Sequence, residues 1–387
     1  MRIAVIYSFL VPIFSLLNFL LISDTVHAQT QHGAAPDDQR LILPTMRPQA
    51  GEHSDGSQEG PLFPSTVESD RFMRVATGPV RAGYFEVGGA LCGLINSDIE
   101  QHRIECLVRP TAGSGENIAL VLSGAAEFGL VQSDWQSFAV KAANELAGNS
   151  LNFDRLRSVA ALYPLSLQIV VKNDLTRFPD LNGKKLALPP SSSSQGQLAD
   201  VVLAQAGLSR RDFRKIEMAS ESQMARAFCI GEVDAFFVVG PALLPSVELT
   251  LSKCDARLLS LGEDLSSQLT GDGDALTALT LSTEDYSSLS SSVTTVGYVV
   301  SLIASEGLDD NMVAEMVRHL VEDDLNLSSR HPALSSADRS SFFTGGLTAR
   351  LHNGVVRYLD SRASAALGQD LSGAEYGGDT LVSENDN

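Results

Sequence analysis

Catalytic signatures are missing from this chain. No Gly-x-Ser-x-Gly elbow occurs, and Gly183-Lys184-Lys185 lacks both the upstream glycine and the Ser/Thr of a phosphate-binding loop. No His-Glu-x-x-His is present, and His102, His319, His331 and His352 are scattered. His102 and Cys106 have a metal-like spacing, but no second pair completes a site. The chain is therefore not expected to be an enzyme, and no catalytic set, metal or cofactor is assigned to it. Positive charge is also scarce: 28 Lys+Arg face 47 Asp+Glu, a net charge of −19, which argues against nucleic acid and anionic membrane surfaces as partners. A small anionic ligand stays possible, because it feels the dipoles of its own pocket while the global field is screened over ~8 Å at physiological salt. Beyond residue 22 no apolar run is long enough to span a bilayer.

The N-terminus sets the expected compartment. Met1-Arg2 is weakly positive, Ile3 to Ile22 is apolar but broken by Pro12 and Asn18, and Val26-His27-Ala28 has the small-x-small pattern of a cleavage site before Gln29. Residues 1–28 are expected to be a signal peptide and the mature chain periplasmic. The alternative is an uncleaved anchor, since the run approaches the ~20 residues that cross a bilayer. Four cysteines suit an oxidising compartment. Cys92 lies in a helical stretch and Cys106 in the next strand, while Cys229 and Cys254 flank elements further on. Cys92–Cys106 and Cys229–Cys254 are the economical pairing of the three possible, with four buried free thiols as the alternative.

Residues 29–70 are rich in Pro, Gly, Ser, Gln and acids and cannot bury enough apolar surface to offset their ordering entropy, so a disordered leader is expected. Residues 363–387 are expected to be an acidic tail. Between them strands and helices alternate. Strands are predicted at 71–77, 104–109, 128–132, 156–163, 167–172, 185–188, 233–239 and 295–303, and helices at 88–96, 117–123, 197–206, 223–230 and 309–327. Short apolar strands alternating with helices indicate an α/β fold with parallel-rich sheets flanked by helices. Residues after 300 are too few for a domain of their own, so they are expected to pack back on the first of two lobes. That organisation is 71–165 plus 296–362 for lobe 1 and 166–295 for lobe 2, with a ligand cleft between them.

Binding-type signals fill the place of catalytic ones. Thr77-Gly-Pro-Val-Arg-Ala-Gly-Tyr84 follows the first strand, Thr111-Ala-Gly-Ser-Gly-Glu-Asn117 opens a helix after the second, and Gln132-Ser133-Asp134 ends the third. Pro189-Pro-Ser-Ser-Ser-Ser-Gln-Gly-Gln197 opens a helix further on. Turns of this kind bare N–H groups at a helix N-terminus, where an anion such as a carboxylate is favoured. Each alone is equally compatible with plain turn chemistry.

Pro110-Thr-Ala-Gly-Ser114, Phe128-Gly-Leu-Val-Gln-Ser-Asp-Trp135, Gly231-Glu-Val-Asp-Ala-Phe-Phe237 and Leu351-His-Asn-Gly-Val-Val-Arg-Tyr358 resemble the TAXI-type solute receptors of TRAP transporters, in order from about residue 72 to 362. The resemblance implies a two-lobed type II periplasmic-binding fold and supports the two disulfides. It also implies capture of a small anionic or zwitterionic solute (glutamate, glutamine or a dicarboxylate) and its delivery to an ion-driven TRAP permease by a monomeric receptor. Carried over by position, the ligand contacts are Thr77, Gly78, Tyr84, Thr111, Gly113, Ser114, Gln132, Ser133 and Asp134, with Ser193 and Gln195 from the far lobe. Two stretches depart from the family pattern: Gly78-Pro-Val-Arg-Ala82 with Phe85-Glu86, and Ser191 to Gly196. Arg81 is a candidate partner for a ligand carboxylate, replacing a far-lobe arginine; the alternative is a solvated loop residue. The competing functional readings are a ligand sensor or a non-transport scaffold that keeps the fold and docks a membrane signalling partner.

Overall fold

Apolar side chains bury themselves in alternation with polar turns throughout the computed structural model, which describes residues 71–80, 83–145, 152–271, 275–322, 327–334 and 342–373. The expected signal peptide, the leader and Arg81 lie outside these residues. The chain runs β1 (Arg71–Ala76), α1 (Gly83–Ile95), α2 (Ile99–His102), β2 (Ile104–Arg109), α3 (Ser114–Leu122), β3 (Phe128–Gln132), α4 (Ser133–Glu145) and β4 (Leu156–Lys172). It continues through β5 (Lys185–Leu188), α5 (Ser194–Gln205), β6 (Arg214–Glu217), α6 (Glu221–Cys229), β7 (Ala235–Gly240), α7 (Pro245–Lys253), β8 (Ala256–Leu258), α8 (Gly262–Thr270) and β9 (Thr277–Leu281). It ends with β10 (Val293–Ser305), α9 (Asp310–Glu322), α10 (Leu327–Arg330) and α11 (Asn353–Gly373). The last helix runs past the boundary at 362 where the tail was expected to begin; residues after 373 lie outside the description.

The strands form one ten-stranded sheet in the order β2-β1-β3-β10-β4-β7-β5-β6, with β8 against β4 and β9 against β10. β1 is parallel to β2 and β3, and β5 is parallel to β6 and β7. The central pairs are antiparallel: β10 with β3 and β4, and β4 with β7. This is a mixed α/β sheet, in keeping with the α/β class expected above.

Two strands were predicted where β4 is one. Pro164 lies between the two predicted stretches; at that position β4 faces Val299 of β10, and its pairing with β7 starts only at Ser166. The missing N–H therefore removes no bond on the β7 side. Register shifts fall between Val300 and Ser301 and between Leu302 and Ile303, so the two long strands bend as they cross.

The apolar core divides at that crossing. Met73, Leu91, Phe128, Leu162, Val300, Met316 and their neighbours form one cluster, and Ala76, Ile118, Val131 and Ile303 another on the same half of the sheet. Ile169, Leu186, Val202 and Phe237 anchor a third cluster, and Phe228, Phe236, Val247 and Tyr286 a fourth. Leu165 packs against clusters of both halves. Helix α9 illustrates the local logic: Met312, Val313, Met316, Val317 and Leu320 line one face at helical spacing and are buried. His352, fully buried, accepts the Gly354 N–H at Nδ1 (3.0 Å) and lies 3.2 Å through Nε2 from the Ser305 carbonyl, tying the start of α11 to β10.

Both expected disulfides are formed. Cys92–Cys106 joins α1 to β2 and Cys229–Cys254 joins the ends of α6 and α7. Closing loops of 14 and 25 residues is worth about 3 kcal/mol each on the chain-entropy model. Replacing Cys229 and Cys254 by serine is therefore expected to lower the urea midpoint, with reducing agent producing a further fall from Cys92–Cys106. Urea titrations with and without reductant read both steps.

The crossing itself is intolerant of a side chain. A Cβ at Gly297 would lie 2.0 Å from the Leu165 carbonyl oxygen, so backbone would have to move. Gly297→Ala is expected to destabilise by about 2 kcal/mol or more, measured by equilibrium unfolding. An unchanged midpoint would mean that the strands are free to separate there.

Candidate functional site

Strand register builds a cleft. The carboxyl end of β3, Gln132, pairs with Val300, which pairs with Tyr163 on β4. The carboxyl end of β7, Gly240, pairs with Ser166 on β4, which pairs with Gly297. β3 and β7 therefore point at one another from opposite halves, with only the stretch from Tyr163 to Ser166 between them, about 10 Å of strand. Because β1 and β2 run parallel to β3, and β5 parallel to β7, the turns after all five strands open on this strip. Carboxyl ends of parallel strands are the usual seat of small ligands in α/β sheets.

Most of the near-half hydroxyls read from the sequence face inward. Thr77 is fully buried and donates to the Arg109 carbonyl at 3.0 Å. Thr111 lies 3.1 Å from the Thr77 carbonyl and 2.6 Å from Asn117 Oδ1, and its hydroxyl accepts the Gly113 N–H. Asn117, fully buried, donates to the carbonyls of Thr77 and Leu130. These residues lock the ends of β1, β2 and β3 together. Asn117 was read only as the start of a helix; a lone Asn amid apolar helix positions was the available signal. Ser114 accepts the Gln132 N–H at 3.2 Å, and Gly113, with φ of 125°, makes the turn that starts α3. The N–H groups of Ser114, Gly115 and Glu116 precede the first helical hydrogen bond, Asn117 to Gly113, and are the open donors of this N-terminus. Gly78 contributes its carbonyl to Thr111 N–H.

Ser133 is occupied as well. Its hydroxyl donates to the Ala275 carbonyl at 2.6 Å and accepts the Val299 N–H at 3.1 Å, joining the start of α4 to a far-half loop and to β10. On the far side Ser193 caps α5, accepting the Gly196 N–H and donating to the Pro190 carbonyl. Gln195 reaches the Val239 carbonyl at the end of β7, at 3.3 Å.

Tyr84, Ser114 and Asp134 are brought together, and two residues not foreseen join them: Tyr163 on β4 and Tyr298 on β10. In strands this apolar both tyrosines read as core, and their position at the crossing is visible only in the register. The Tyr84 hydroxyl is buried beside that of Ser114 without a well-formed hydrogen bond among the described residues. Burial pushes the phenols of Tyr84, Tyr163 and Tyr298 well above their ordinary range, with the negative charge of Asp134 adding to the rise at Tyr84 and Tyr298. Burial likewise raises Asp134 to about 6, against which only the N–H groups of Trp135 and of Asp134 itself act. Among the described residues no Lys or Arg offsets that carboxylate. Trp135, partly exposed, leans over Gly115, where a Cβ would lie 2.9 Å from its ring.

A second group of titratable residues lies elsewhere on the near half. Asp98, His102, Glu315 and His319 bring donor atoms within 4.8 Å of one another. Arg318 already fills the role of cation, with one nitrogen 2.8 Å from Asp98 and 2.5 Å from Glu315. Burial alone would raise Glu315, but hydrogen bonds with His319 and Arg318 hold it at about 2. The Ile104 N–H points at His102 Nδ1, which places that ring's proton on Nε2 and removes it as a metal ligand. The group is an ion-pair bridge between α2 and α9. A groove of about 580 Å³ lined by Arg71, Phe72, Arg74, Leu107 and Met312 lies at the opposite end of β1 from the cleft.

The raised Asp134 has a consequence for stability. Its folded value of about 6 exceeds the ordinary 3.8, so between those limits the folded chain binds more protons than the unfolded one and stability falls as pH rises. Asp134→Asn is expected to raise the melting temperature at about pH 7.5 and to leave it nearly unchanged at about pH 3.5. Equal shifts at both pH values would show that the carboxylate is not desolvated.

No helix among the described residues is long and apolar enough to cross a membrane. Solved structures similar to this chain include proteins named as solute-binding or sulfonate-binding. A TctC solute-binding protein from Polaromonas is 14% identical over 78% of this chain and 99% of its own, with a TM-score of 0.48. The sulfonate-binding protein SsuA from Methylobacillus flagellatus is 15% identical over 78% and 87%, with a TM-score of 0.43, and SsuA from Escherichia coli is 17% identical over 79% and 86%, with a TM-score of 0.40. Residues 75–361, most of the chain and all of the cleft, match the NMT1-like family, and the chain belongs to that family.

Proposed function

We propose that this chain is an extracytoplasmic solute receptor. It takes a small organic acid or amino acid between its two halves and delivers it to a TRAP-type permease. The observation that carries the reading is the register at the crossing: strand ends of both halves converge on one strip of β4 and β10, and polar turns with open N–H groups stand at those ends. The resemblance to TAXI-type receptors supports the choice of permease, and the two disulfides agree with export.

Mechanically, β4 and β10 are the connections between the halves, so bending at Tyr163–Ser166 and Gly297–Val300 would close the cleft. Closure removes the solute from water, and N–H groups and hydroxyls must replace its hydration shell. Ser114, Gly113, Gly78, Gln132, Tyr84 and Asp134 are the near-half residues proposed to meet it, with Ser193 and Gln195 opposite. Thr77, Thr111 and Ser133 hold those residues in place. Arg81, which precedes α1 in the sequence, is proposed as an additional partner of a ligand carboxylate.

The test is a thermal-shift panel of amino acids and mono- and dicarboxylates on protein stripped by unfolding and refolding. A ligand at a hundred times its dissociation constant is expected to add about 2.7 kcal/mol, a readable rise in melting temperature. A flat panel with no small molecule retained in native mass spectrometry would favour the scaffold reading.

A further inference from the structure

We propose that the floor of the cleft recognises an ammonium group, with Asp134 as its anionic partner, so that this receptor takes amine-bearing solutes and rejects the matching acids that lack the amine. The inference rests on the receptor reading above and adds the identity of the group that decides selection.

The residues at the floor lead to this directly. Asp134 stands at the first turn of α4, partly buried, at the carboxyl end of β3. The residues next to Asp134 and Tyr298 in the chain, Ser133 and Val299, are hydrogen-bonded at 3.1 Å, and the Asp134 charge acts on the phenols of Tyr298 and Tyr84. The carboxylate accepts the neighbouring Trp135 N–H at 2.8 Å, and among the described residues no Lys or Arg pairs with it. A desolvated carboxylate with no cationic partner among the described residues is disfavoured unless something supplies the charge. An ammonium supplies a positive charge and three donors, and a phenol oxygen such as the buried, unbonded one of Tyr84 is an acceptor for one of them.

The same geometry penalises a second carboxylate. An acid placed there would bring like charge against Asp134 at low effective dielectric, with no Lys or Arg among the described residues to offset it. The open N–H groups of Ser114, Gly115 and Glu116 lie at the adjacent helix start and suit an anionic group instead. An amino acid offers both ends at once: its ammonium to Asp134 and its carboxylate to the start of α3. Position 134 is held rigidly for this role, because its neighbours Ser133 and Gln136 are both bonded across the fold.

Calorimetry with pairs of probes that differ only in the amine tests the inference. L-glutamate is matched with glutarate, and L-glutamine with 4-carbamoylbutanoate, each titrated into stripped full-length protein. The amine-bearing member of a pair is expected to bind about thirtyfold tighter or more, the scale set by a desolvated charge pair. In Asp134→Asn the difference within the pair should collapse below threefold, with circular dichroism confirming the fold. If that variant does not fold, Asp134→Glu, which keeps the charge, must preserve the ordering. Glutarate binding as tightly as glutamate, or a difference that survives Asp134→Asn, overturns the inference while leaving the receptor reading intact. A panel hit with no amine does the same. If no amino acid or carboxylate binds at all, the receptor reading falls and this inference falls with it.

Discussion

The pairing of β10 with β4 is the interaction on which everything else depends. From Gly297 opposite Ser166 to Ser305 opposite Leu156, these two strands make the seam of the sheet, and each extends beyond the seam into the far half. The near-half clusters pack on one stretch of them and the far-half clusters on the other. The approach is close enough at Gly297 that a methyl group would meet the opposing carbonyl. Both strands are mostly buried along this seam, so the halves share one framework while retaining separate cores.

Secondary structure was legible where a single physical signal dominated. Strands β2, β3 and β5 begin and end where apolar runs meet polar turns, and the stripe of α9 is plain in the sequence. What escaped was decided by tertiary context. Helix α4 carries Trp135 and Phe138 on exposed positions, which blurred its amphipathic pattern. β6, β8 and β9 are short strands of three to five residues, β6 at the end of the strand order and β8 and β9 off its main path. Pro164 is a strand breaker only where a ladder donor is needed, and the sequence carries no sign of which side of β4 lacks a neighbour.

The site was legible as a set of turns, and less so as a set of directions. Thr77, Thr111, Ser133 and Ser193 were expected as ligand contacts from the family resemblance, and each hydroxyl also bonds backbone groups of the protein. That division of labour has a physical reason. Three parallel strands that end together leave carbonyls and N–H groups without ladder partners, and buried polar groups of that kind must be paired. Asn117 and the two threonines do this work, while the buried Tyr84 hydroxyl has no hydrogen-bond partner and Asp134, which accepts the Trp135 N–H, has no Lys or Arg partner among the described residues. The contrast between hydroxyls paired within the protein and a carboxylate with no cation among the described residues emerges only once the chain is folded.

Helix α4 is fastened at both sides of its first turn. Ser133 binds Ala275 and Val299, and Gln136 binds Ser301, Thr348 and Ala349, so three remote segments hold one helix start. A residue on such a mount has little freedom to rotate toward solvent when the cleft is empty. On the proposed reading, a lineage could not retune its cargo by reshaping a flexible loop here. It would have to change the charge at position 134 itself or plant a cation next to it, which makes preference a discrete trait with few intermediate settings.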